Sequence, residues 1–266
     1  NSLFEEFMQR FRVCITMALM VSLIISSACY AGGIKPIPSL NSILRSSIPD
    51  KSNLPTTQEM EYSIKKFYYQ IQYQDQKLQI LNEVKGHFEK SISKAEEKYD
   101  EGEEDISQSD ITKLKLGLAG TLNDIYEVEA DLQISRLSLF EVLKSEYEPE
   151  AELLEPNISP VKFDFVDYED WSGQGSELSG NVSLKKVFFK VIEAKRKMQL
   201  ARNNRKITRA LLVSEVANYD FGIGDPADLF QALIIYTRVL NGYYDSVYNF
   251  NLSVAGLDRD KHIWMH

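Results

Sequence analysis

Tyr219–Ala232, reading YDFGIGDPADLFQA, decides the fold. An upstream helical pattern ends near Tyr219. Gly222 and Gly224 then mark a tight turn, because glycine enters positive φ without steric cost. A new helix is announced at once, with Asp225 as N-cap, Pro226 at the first helical position and Asp228 near the positive helix end. The stretch is therefore the tip of a helical hairpin. A second tip lies 120 residues earlier, at Tyr99 and Gly102, with Ser107 and Asp110 at capping-box spacing. The chain reads as two copies of one unit: long helix, tip, long helix.

The flanking sequence supplies the four helices. From Met60 to Tyr99 apolar residues step by three and four, interrupted only at Gln74 and Lys85. That is a sustained heptad seam. Ile111 to Val142 repeats the spacing up to Pro149, which is expected to stop the helix. Leu116, Leu122, Ala130, Leu137 and Leu143 widen its stripe, which implies more than one neighbouring helix. Leu184 to Tyr219 and Leu229 to Leu257 give the third and fourth helices.

Between the hairpins, prolines appear and residues 161–168 alternate as one short strand, for which 34–48 or another subunit could be the partner. The expected architecture is all-α: two long antiparallel coiled-coil hairpins in tandem, one short linking strand, and both tips pointing the same way. The segments are 1–31, 32–55 (an extended or disordered lead-in), 56–148 and 182–258 (the hairpins), 149–181 (the linker) and an unpatterned tail at 259–266.

Residues 1–31 read as a secretory signal peptide: Arg10 and Arg12, an apolar run, then small residues to Ala31. Lipidation at Cys29 and a transmembrane anchor are the alternatives. Cys14 and Cys29 are the only cysteines, so the body has no disulfide framework and no thiolate metal site. A net charge of −9 argues against a nucleic-acid partner. His87, His262 and His266 have no convergent carboxylates in the pattern, and no phosphate loop is present, so neither enzyme activity nor a cofactor is expected.

Three groups of residues remain as candidates. Gly222, Ile223, Gly224 and Asp225 form a tip in which Ile223 either meets a partner or packs its own helix start. The acidic run Glu96–Asp105 at the other tip is a docking patch or a solvated loop. Arg202, Arg205 and Arg209 are expected to pair with those acids at 96–105. The tyrosines Tyr236, Tyr243, Tyr244 and Tyr248 are expected to pack in the core rather than stack on a ligand.

ANYDFGIGDPADLFQALIIYTRVLNGYYDSVYNFNLSVAGL (217–257) resembles the closing hairpin of TolC-type outer-membrane efflux proteins. The resemblance rests on Tyr219, Phe221, Gly222, Asp228, Leu229, Ala232, Tyr236 and Tyr248–Ala255. AEEKYDEGEEDISQSDITKLK (95–115) resembles that family's other tip, with two residues inserted between Gly102 and Asp110. It extends over 58–148 and 182–257.

The resemblance implies a homotrimer forming a hollow periplasmic barrel. Its tips, including Gly102, Asp110, Tyr219, Gly222, Ile223, Gly224, Asp225 and Asp228, would dock on a periplasmic adaptor protein and an inner-membrane pump. The strand pairs of the family's outer-membrane barrel have no counterpart, so a shortened relative, a deletion product or one piece of a split protein is expected. A periplasmic coiled-coil scaffold with no channel role is the alternative.

Overall fold

The computed structural model describes residues 35–48, 54–102, 106–145, 150–173 and 176–265. The signal peptide, both cysteines, residues 103–105, Pro149 and His266 lie outside them. The described residues form α1 (Leu40–Ser47), α2 (Leu54–Asp100), α3 (Gln108–Leu143), α4 (Tyr168–Ser172), α5 (Val182–Asp220) and α6 (Pro226–Trp264). The fold is all-α, with α2/α3 and α5/α6 as two long hairpins.

The packed pairs are α2 with α3, α2 with α6, and α5 with α6, with a smaller contact of α3 on α6. The order across the molecule is thus α3–α2–α6–α5. Among the described residues no packed interface joins α3 to α5, so the four rods make an open row rather than a closed four-helix bundle.

The apolar seams make the core. Near the tips, Val84, Phe88, Ile92, Leu114, Leu212, Leu229, Leu233 and Tyr236 bury together. Away from the tips, on the second hairpin, Phe188, Val191, Tyr243, Val247 and Phe250 close over the linker residues Phe163, Tyr168 and Trp171. At the far end, Ile64, Tyr68, Ile71, Leu132 and Leu139 meet Ile37, Ala151 and Leu153. Tyr236 and Tyr243 are core residues, as their seam spacing implied.

Several local expectations are corrected. Residues 161–168 do not form a strand. Side chains satisfy their backbone and its approach instead: Asn251 Oδ1 accepts from Val161 N (2.9 Å), Asn251 Nδ2 donates to Ser159 O (2.8 Å), and Lys195 donates to Phe163 O. Groups bound this way are unavailable to a ladder. The run ends in α4, capped by Asp167. The sheet-like contact lies elsewhere, as a single parallel bridge between Ile37 and Leu153.

The lead-in is not wholly extended, since α1 begins at its N-cap Ser39. The tail is helical, because α6 continues to Trp264. Arg259 helps hold that end, with its guanidinium over the Tyr62 ring at 4.4 Å. Helix α3 stops at Leu143, before Pro149, because Lys144 turns left-handed at φ 50°.

Candidate functional site

The two tips lie side by side at one end. In the second, α5 closes through Gly222 N to Tyr219 O (3.1 Å), and through Ile223 N and Gly224 N to Asn218 O (both 3.0 Å). Gly222 is left-handed at φ 77°. Gly224 is not. Its hydrogen is required by space, since a Cβ there would sit 2.8 Å from Tyr219 N and 2.9 Å from Asn218 C. Asp225 then caps α6, accepting from Ala227 N at 2.7 Å, with Pro226 in the first turn. Asp228 is exposed in that turn.

The first tip turns at Gly102, φ 82°. Ser107 and Asp110 complete the capping box, with Asp110 N donating to Ser107 Oγ (3.2 Å) and Ser107 N to Asp110 Oδ2 (3.3 Å). Hydrogen bonds from Ser107 and Lys113 hold the Asp110 carboxyl below its ordinary range. Asp110 therefore serves its own helix.

Two lysines of α2 join the tips. Lys94 Nζ donates to Tyr219 O (2.9 Å) and Asp220 O (2.7 Å), and lies 5.3 Å from the Tyr219 ring centroid. Lys90 pairs with Asp220 at 2.7 Å. A cation on the last carbonyls of α5 satisfies groups that the helix itself leaves unbonded and opposes the negative helix end. Tyr219 OH donates to Ser91 O (3.1 Å), and burial pushes its pKa up to about 12. Tyr219 is thus an anchor between hairpins rather than an accessible contact residue. Sequence periodicity gave no sign of Lys90 and Lys94, which lie outside the apolar seam.

The tips enclose a notch of about 280 Å³ lined by Lys98, Ile106, Tyr219, Gly222, Ile223, Gly224, Asp225 and Pro226. Beside it, Phe221 is 82% exposed and Ile223 79% exposed. Ile223 does not pack its own helix start. Phe221, adjacent to it, escaped notice as a surface residue because it reads as the last aromatic of the α5 pattern.

The expected pairs of Arg202, Arg205 or Arg209 with the acids at 96–105 do not form among the described residues. Helix α5 packs on α6, which separates it from α2 along most of its length. Glu96 pairs instead with Lys115, at 2.7 Å, inside the first hairpin. Arg205 lies below the tips, its guanidinium 4.8 Å from the Tyr243 ring and 5.5 Å from the Tyr244 ring. The charges that join the hairpins are the reverse of those expected, with lysines on α2 and the acid on α5.

The outer edges of the row carry apolar side chains that remain exposed among the described residues. On α3, Leu116, Tyr126, Ile134 and Leu137 are exposed, opposite the seam that packs on α2. On α5, Phe189, Leu200, Ile207 and Leu211 are exposed at heptad-like spacing. Among the described residues no helix is long and apolar enough to cross a membrane.

No protein-family model matches the chain. No curated protein matches it either. Among solved structures, the fold is similar to that of the outer-membrane channel OprN, with a TM-score of 0.61 at 10% sequence identity. The similarity covers 83% of this chain and 69% of that one. At this identity it is a relation of fold.

Proposed function

We propose that this chain is a TolC-like component of an efflux or secretion system, acting as the helical periplasmic part of a conduit. Copies join edge to edge as a homotrimer, and the hairpin tips dock on an adaptor protein and, through it, an inner-membrane pump. Its work is passage rather than chemistry, so it is no enzyme. It resides in the periplasm, associated with the outer membrane, after export on a leader at 1–31.

The observation that carries this reading is the open row with two apolar edges. A monomeric scaffold would fold its four helices back on themselves and bury both stripes. Here Leu116 is 67% exposed on one edge and Ile207 70% exposed on the other. Apolar stripes of this length call for partner helices. Joining the α3 edge of one copy to the α5 edge of the next repeats the same contact around an axis and closes a ring. The fold similarity to an outer-membrane channel supports a hollow ring. The exposed Phe221 and Ile223 support docking at the tips, as apolar side chains on a polar rim commonly do.

The test is the mass of the purified full chain by size exclusion with light scattering, followed by electron microscopy of the particle. A trimer with a central opening is expected. A protein that stays monomeric at working concentration overturns the reading.

A further inference from the structure

A groove between α5 and α6, away from the tips, has the composition of an anion site. Arg202, Arg205, Lys206 and Arg209 line a space of about 580 Å³ together with Val213 and Tyr243, and no carboxylate lines it. The four cations fall at i, i+3, i+4 and i+7 on one helix, where like charges repel. No ion pair among the described residues uses any of them. The contrast lies one to three turns up the same helix, where Lys190 and Lys197 both pair with Glu193, at 3.0 and 2.7 Å.

The groove is also shaped. Arg205 is held over Tyr243 and Tyr244, which fixes one guanidinium plane by cation–π contact. Arg202 and Arg209 are exposed on either side of it, and Val213 adds an apolar wall. Arginine presents planar paired donors that match phosphoryl oxygens. We propose that this groove binds a small polyanion bearing phosphoryl groups on an apolar body, the charges on Arg202, Lys206 and Arg209 and the body against Val213. This site is independent of ring assembly.

The test is titration calorimetry of the full chain with inorganic pyrophosphate at physiological salt. Three proteins are compared: wild type, R202Q/R209Q, and K190Q/K197Q as a control on the same helix. Circular dichroism melting confirms that each is folded. Wild type is expected to bind with sub-millimolar affinity, and R202Q/R209Q to weaken by about tenfold or more, because charge-assisted contacts are lost. The control is expected to stay within about twofold, since general surface charge is largely screened at that salt. Absence of pyrophosphate binding, or equal weakening in both variants, overturns the proposal. So does an Asp/Glu peptide that binds more tightly than pyrophosphate, which would make the groove a protein-docking surface. A monomer that binds pyrophosphate keeps the groove and removes the ring, whereas a trimer that does not bind it does the opposite.

Discussion

Gly224 and Gly222 look alike in sequence but are required for different reasons. Gly222 supplies a left-handed φ of 77°. Gly224 supplies the absence of a Cβ against the backbone of Asn218 and Tyr219. Because rigid backbone cannot yield as a side chain can, Gly224→Ala is expected to destabilise the protein by about 1–3 kcal/mol, in the range of overpacking changes. Gly222→Ala should lose about 1 kcal/mol through the left-handed penalty alone. Urea unfolding of the two variants checks the order.

The half-buried acid Asp75 gives a pH signature. Burial raises its pKa from 3.8 to about 6, against the lowering influence of Arg136, 3.9 Å away, and with Glu152 adding to the rise. The folded state therefore holds this proton more tightly than the unfolded chain. Its stabilising effect is fully present below pH 3.8 and is lost as pH rises through about 6. The expected loss is about 1–3 kcal/mol, from the roughly 1.4 kcal/mol per pKa unit of linkage. Unfolding free energies of wild type and Asp75→Asn, extrapolated from urea titrations across that window, should diverge by this amount. Parallel curves would remove Asp75 as the cause. Such a residue is hard to read in sequence, because Asp75 sits beside the seam break at Gln74 in an otherwise polar stretch, YQDQK, that looks solvated.

At the scale of elements, the seams were legible because each helix spends most of its length against a neighbour. The capping residues at Ser107, Asp110 and Asp225 were legible because a helix start is a local event. What sequence misread were segments governed by distant side chains. Residues 161–166 alternate like a strand, but Asn251 and Lys195 take up backbone groups there and on its approach. The candidate arginines were misassigned for a related reason: hairpin order, which periodicity does not encode, decides which rods are neighbours. The end of α3 offers a direct check. Lys144 is exposed and left-handed at φ 50°, the one non-glycine residue of positive φ among the described residues. Lys144→Gly is expected to stabilise the protein by roughly 0.5–1 kcal/mol, because glycine adopts this C-cap conformation without Cβ strain. A higher thermal midpoint is the readout, and a lower one would mean that the Lys144 side chain contributes more than its backbone strain costs.

For the whole molecule, the widened stripe on α3 had pointed to more than one neighbour, and the row provides only one along most of its length. Leu116 and Leu137, two of the residues that widen it, are exposed. Their proposed partner is α5 of another copy, and the register of that contact follows from the fold. Phe230 of α6 lies against the position of Gly117 on α3, and Arg205 of α5 lies against Tyr243 of α6. Counting equal steps along α3 and α6, which run the same way, and then along the antiparallel α5 sets Ile134 of α3 level with Ala201 of α5, next to Leu200. A rotation axis parallel to the rods preserves that level between copies. Leu200→Glu alone, and Ile134→Lys alone, are therefore each expected to shift the protein from trimer to monomer, because each buries one unpaired charge in the contact. Both substitutions in one chain place opposite charges level across every contact, and should recover at least part of the trimer, most clearly at low salt. Light scattering on the four proteins reads the outcome. Monomeric single variants with an equally monomeric double variant would displace the register, while trimeric single variants would displace the edges themselves as the site of assembly.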